Sequence, residues 1–189
     1  TPLNKRARQA MAERPPARVW VMRSLYIGLS LSIIFLHLLP LATSPSRWFA
    51  PDLLMAFTFA WAMRRPEYVP VISVGFIILL ADFLFQRPPG LLAGLIVVGA
   101  ETLRARSVAN RDMPYLVEWM SVAGVMITII FAERLFLAIF FVPAPSLSLV
   151  LIQLAMTIAL YPLVVMISHF LFNVRRSAPG EVDALGHKL

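Results

Sequence analysis

No cysteine occurs among the 189 residues. A disulfide framework, a thiolate zinc site and a thiol nucleophile are therefore excluded. Charge is also scarce: 14% of residues are Asp, Glu, Lys or Arg, against about a quarter in soluble domains. Histidine is limited to three residues. His37 and His169 stand alone in apolar segments with no partner four residues away, so structural hydrogen bonding is expected of them rather than metal ligation. No Walker loop, G-x-S-x-G elbow or H-E-x-x-H helix is present, which leaves no motif for phosphate-loop, serine-hydrolase or zinc-protease chemistry. The reading is a non-enzyme without a cofactor.

What is abundant is apolar sequence, 59% of the chain, and it comes in long blocks. A hydrocarbon core about 30 Å thick takes roughly 20 apolar helical residues to cross. The blocks predict an all-α polytopic membrane bundle of about six transmembrane helices. Helix one is expected from about Ser24 to Ala42, helix two from Trp48 to Met63 and helix three from Tyr68 to Phe85. Helix four is expected from Leu91 to Leu103, helix five from Tyr115 to Phe131 or as far as Phe141, and helix six from Leu147 to Phe172. A cleaved signal peptide competes for the first block, but its apolar run is too long and is interrupted by Pro40. Residues 1–18 read as a basic cytoplasmic tail with affinity for anionic lipid, 19–176 as the transmembrane domain and 177–189 as a short cytoplasmic tail.

The net charge of +7 is explained by position. With six spans and cytoplasmic termini, 14 of the 17 Lys and Arg residues fall on the inner side, as the positive-inside rule expects. If helices two and four do not span, 13 remain inside and four lie outside, so the count favours cytoplasmic termini more than it favours six spans. No basic patch is interleaved with exposed aromatics, so nucleic acid is not an expected partner.

Ionisable residues within spans are costly and are functional candidates by default. Asp52 opens helix two, where an acid caps free amides. Asp82 ends helix three, with Arg87 five residues on as a possible counter-ion. Glu101 and Glu118 lie near Arg104 and Arg106. Glu133 and Arg134 are adjacent, so they point about 100° apart on a helix, and Arg134 has Asp52 or Asp82 as possible partners. Gly90 and Gly94, four apart, allow close approach of a second helix in lipid.

The order Phe49-Ala50-Pro51-Asp52-Leu53-Leu54, then Pro66, then Gly75 through Asp82 to Leu84, then Gly90-Leu91, and finally Leu160-Tyr161-Pro162 before Arg175-Arg176, resembles the rod shape-determining MreD family. The resemblance runs over about residues 19–176. Arg87-Pro88-Pro89 and the long basic amino-terminal tail depart from it. It implies a fold similar to the substrate-binding membrane subunits of vitamin transporters. It also implies a non-catalytic scaffold in the bacterial inner membrane, acting with MreC, the MreB cytoskeleton and RodA with its class B penicillin-binding transpeptidase. The scaffold reading uses Gly90 and Gly94 as a lipid-facing groove, with a polar contact from Asp82. A small-molecule-binding transporter subunit is the alternative, with an enclosed cavity built from Asp52, Asp82 and Arg134. Pro51, Gly75 and Pro162 complete the candidate partner-binding or structural set.

Overall fold

A computed structural model of the chain describes residues 16–39, 50–109 and 114–172. These residues form six α-helices and one short 3-10 turn, with no strand among them. The helices are α1 (Pro16–Leu38), α2 (Leu53–Arg64), α3 (Val71–Leu84), α4 (Leu91–Ala109), α5 (Tyr115–Ile139) and α6 (Leu147–Phe172). The 3-10 turn, Pro66–Tyr68, links α2 to α3. Most of the amino-terminal tail, the carboxy-terminal tail with Arg175 and Arg176, Ala42, Arg47, Trp48, Arg111 and Asp112 lie outside the described residues.

Among the described residues, three helices are long and apolar enough to cross a membrane: Val19–Leu38, Tyr115–Ile139 and Leu147–Leu171. All three expose many apolar side chains, among them Phe35, Phe131, Leu135 and Phe170. On a helical membrane protein this is the surface that faces lipid. The helices α2 and α3 have 12 and 14 residues, or about 18 and 21 Å at 1.5 Å per residue, less than a hydrocarbon core.

The short helix α2 stands at the centre. Leu54 to Met63 are all buried, a run of ten, and α1, α4 and α6 pack around it. A helix that is apolar on every side belongs inside a bundle. Lipid tails are as apolar as leucine, so close packing and hydrogen bonds must hold it there. Tyr26 of α1 bonds Thr58 (3.0 Å) and stacks on Phe57 at 5.6 Å. The Trp61 indole donates to the Ser168 hydroxyl of α6 (3.1 Å).

Contacts at the helix ends fix the directions. Arg23 of α1 reaches the 3-10 turn, while His37 at the other end of α1 packs its ring against Phe85, just past α3, at a centroid distance of 4.6 Å and a tilt of 48°. Asp52 meets Thr157 of α6, and Arg64 meets Glu118 of α5. Successive helices thus alternate in direction between one end marked by Asp52 and another marked by Arg64.

Some expected boundaries move. Helix one begins at Pro16 rather than Ser24, because proline at the first helical position loses no hydrogen bond. Helix four runs on to Ala109, carrying Arg104 and Arg106 beyond the apolar stretch. Helix two starts at Leu53, because Asp52 caps it. Helix five reaches Ile139.

The glycines divide into two kinds. A Cβ on Gly90 or Gly94 would meet nothing within 4 Å, so that pair makes no close internal approach. A Cβ on Gly99 would come within 2.7 Å of Ile129, 3.0 Å of Val125 and 3.2 Å of Phe59. Gly99 is where α4 crosses α2 and α5. Gly75 allows ordinary contact with Val97 (3.6 Å) between α3 and α4. Gly99→Leu is expected to lower stability by about 1–3 kcal/mol through overpacking, and Gly94→Leu to leave it nearly unchanged, as read by thermal unfolding in detergent.

Candidate functional site

Polar side chains gather at the two ends of α2. Its four leading amides and four trailing carbonyls have no partners within the helix. In a bilayer such groups must find partners in the protein.

At the Arg64 end, the guanidinium lies side-on to Glu118: Nε donates to Oε1 (3.1 Å) and Nη2 to Oε2 (3.4 Å). The Tyr161 hydroxyl of α6 donates to the same Oε1 (3.2 Å). Glu118 and Tyr161 are fully buried. Glu118 is thus an interface residue as expected, but its counter-ion is Arg64 rather than Arg104 or Arg106. Arg104 instead pairs with Glu101 (2.8 Å) one turn earlier on α4. Arg104 also donates to the carbonyls of Pro66 and Val69, and Arg23 donates to that of Glu67 (3.0 Å). Three arginines therefore tie the tail of α2 and its 3-10 turn to α1, α4 and α5.

At the Asp52 end, Asp52 caps α2 as expected, its Oδ1 accepting from the Met55 amide (2.9 Å). Its own amide donates to Thr157, and the Gln153 side chain donates to the Ala50 carbonyl (3.0 Å). Arg87 pairs with Asp52 at 3.8 Å and not with Asp82. The cause is the turn after α3. Gln86 adopts φ 56°, and the Arg87 amide returns to the Asp82 carbonyl (2.9 Å), closing a Schellman turn that sends the Arg87 side chain to α2.

Asp82, 1% exposed, serves a different helix. Its Oδ2 accepts from the amides of Gly90 (3.1 Å) and Ala93 (3.2 Å), so a side chain of α3 caps α4. Gly90, at φ +88°, has no side chain to do so itself. Asp82 Oδ1 has no hydrogen-bond partner among the described residues. With its carboxylate turned inward, Asp82 is not available as a polar contact for an outside helix.

A cavity of about 100 Å³ opens at this end between α5 and α6, lined by Asp52, Arg87, Glu133, Arg134, Gln153 and Thr157 among others. Asp82 is not in its lining. Arg134 meets neither acid, and donates instead to the Pro145 carbonyl. A second cavity of about 200 Å³ lies on the other side of the Asp52–Arg87 pair, against Ile33, His37, Pro51 and Phe85. Among the described residues no three His, Asp or Glu side chains converge as a metal site.

Pro162 lies inside α6. Lacking an amide hydrogen, it leaves the carbonyl four residues earlier unsatisfied. That carbonyl belongs to Ile158, and the Trp119 indole of α5 donates to it (3.0 Å).

Sequence reasoning missed the polar stripe of α6. Gln153, Thr157, Tyr161 and Ser168 each bond α2, its leading residues or its Arg64–Glu118 pair. Their spacing of four, four and seven places them on one helix face, and that periodicity was the available signal.

Together, the all-helical fold, its three long apolar helices and its buried polar ties define a helical membrane protein. No family model, curated protein or solved structure matches the chain.

Two outcomes test these assignments by unfolding in mixed micelles. Glu118→Leu is expected to cost about 3–5 kcal/mol by stranding Arg64, and Arg64→Met combined with Glu118→Leu to recover most of that loss. Asp82→Asn, which keeps an acceptor for the α4 amides, is expected to retain stability, whereas Asp82→Ala should lose about 0.5–2 kcal/mol.

Proposed function

We propose that the chain is a non-catalytic membrane scaffold of the MreD type, organising lateral cell-wall synthesis in the bacterial inner membrane with both termini cytoplasmic. The carrying observation is how the polar interior is used. Most ionisable groups around α2 are spent on joining helices, and the cavities beside the Asp52–Arg87 pair, where a transporter site of Asp52, Asp82 and Arg134 would lie, hold about 100 and 200 Å³. Small-molecule sites usually enclose about 300–1,000 Å³. At the Asp52 end, that difference favours a scaffold over a transporter subunit with its site there.

Two further features support the reading. The alternating helix directions suit six membrane passages, with α2, α3 and α4 shielded or accommodated by local thinning. Arg23, Arg64, Arg65, Arg104 and Arg106 belong to one end of the bundle, and Arg87 and Arg134 to the other. The positive-inside rule then assigns the Arg64 end to the cytoplasm.

A scaffold needs an outer face for a partner helix. Gly90, just before α4, and Gly94 and Val98 on it are all exposed at spacings of four, and α3 exposes Ile72 and Phe76. Such a surface admits close packing by a single transmembrane helix, as in MreC or the transpeptidase. Because Gly94 touches nothing inside the bundle, its substitution reports on the outer face alone.

A gentle-detergent pull-down from native membranes, with bound proteins identified by mass spectrometry, is the test. MreC, or RodA with its transpeptidase, should co-purify, and Gly94→Leu should reduce their recovery severalfold. Undiminished recovery removes the Gly94 face from the model. Recovery of an ATPase pair with a transporter coupling subunit would replace the scaffold reading with transport.

A further inference from the structure

The cavity between α5 and α6 contrasts with the Arg64 end. There each acid is held by a close basic partner. Here the charges are loosely matched. Glu133 is only partly exposed and has no hydrogen bond or ion pair among the described residues. A carboxylate at membrane depth without a partner is costly. The Asp52–Arg87 separation of 3.8 Å is long for an ion pair, and Asp52 Oδ1 is already engaged by the Met55 amide. Arg87 otherwise places its guanidinium over the Phe85 ring at 5.4 Å. Arg134 uses one of its five N–H donors, on the Pro145 carbonyl.

The cavity therefore offers two complementary halves. Arg87 and Arg134 present unspent guanidinium donors, whose fork geometry suits phosphate oxygens. Glu133 presents a free carboxylate, which suits an ammonium. The four charges sum to zero, so an anion alone would leave Glu133 uncovered and a cation alone would leave the arginines uncovered. A group carrying both a phosphate and a primary ammonium satisfies both halves at once.

The surroundings indicate where that group comes from. The cavity sits at one end of α5 and α6, with apolar walls from Leu137 and Leu154. Alongside it α5 exposes Ile127 and Phe131 and α6 exposes Leu151 and Ile152, and further along α6 Leu163 and Met166 are exposed too. Acyl chains would follow that surface while the headgroup occupies the polar mouth.

We propose that this cavity binds the headgroup of a zwitterionic aminophospholipid, of the phosphatidylethanolamine class, with Arg87 and Arg134 on the phosphate and Glu133 on the ammonium. The site requires only that the helices lie in a bilayer, and it stands whether or not the scaffold reading does.

The test uses the full chain in nanodiscs of equal parts phosphatidylethanolamine and phosphatidylglycerol, then native mass spectrometry of the lipids retained after mild detergent release. The unmutated chain should retain phosphatidylethanolamine over phosphatidylglycerol by about tenfold, equivalent to about 1.4 kcal/mol. The near-isosteric Glu133→Gln should abolish that preference while leaving the melting temperature unchanged. Arg134→Gln should reduce retention of both lipids. Equal retention of the two lipids by the unmutated chain overturns the proposal without recourse to any variant. Complete displacement of the bound lipid by millimolar free phosphoethanolamine would overturn the lipid assignment in favour of a soluble phosphoamine.

Discussion

The structure depends on the length of α2. Twelve residues give a helix of about 18 Å, shorter than a hydrocarbon core about 30 Å thick, and ten of the twelve are buried among other helices. Free amides and carbonyls there cannot turn to water. Every neighbouring helix accordingly sends a polar group to one end of α2 or to its flank. Asp52 and Thr157 serve the leading end, and Arg23 and Arg104 serve the carbonyls of the turn that follows the trailing end. The longer outer helices need less help, since their own ladders run over most of the membrane thickness; the exception is Pro162 in α6, where the Trp119 indole of α5 covers the Ile158 carbonyl. Their outward faces are left apolar.

The two ends are built to different tolerances. Arg64, Glu118 and Tyr161 form a buried, geometrically complete cluster, with both carboxylate oxygens engaged. A buried pair of this kind stabilises little relative to an apolar replacement, yet strongly penalises any arrangement that separates it. It fixes α5 and α6 against α2. At the other end the ion pair is long, one acid is unpaired and a cavity remains. That asymmetry makes the Asp52 end the natural place for a ligand and the Arg64 end the frame that holds the bundle in register.

Much of the fold was legible in the sequence, because apolar run length and the position of charges act locally. The six helical segments, the cap at Asp52 and the interface role of Glu118 follow from residues close in the chain. What was not legible is which residues meet across the bundle. Arg87 looked like a partner for Asp82 at a separation of five, but the left-handed turn at Gln86 redirects it to Asp52. A non-glycine residue in that conformation carries no sequence signature. Gly99 lies five residues beyond Gly94, off the spacing of Gly90 and Gly94, yet among the described glycines it is the one at the tightest crossing. Spacing finds one face of one helix, and the crossing point depends on two others.

This bears on what the family-like pattern means. Asp52 closes the start of α2, Asp82 closes the start of α4, and Gly90 supplies the positive φ at that junction. Pro162 exposes a carbonyl that Trp119 covers. Each of these residues is explained by a backbone group that would otherwise be unsatisfied in lipid. The pattern that suggests MreD is thus a set of solutions to one problem: ending and interrupting short helices within a membrane. Residues of this kind specify a fold and are silent about a partner. The residues free to specify one lie outside the pattern or at its edge, as exposed Gly94 and Val98 on α4 and as Glu133 and Arg134 beside the cavity. Recognition can therefore differ between proteins that share the pattern, because changing those positions leaves every tie around α2 intact.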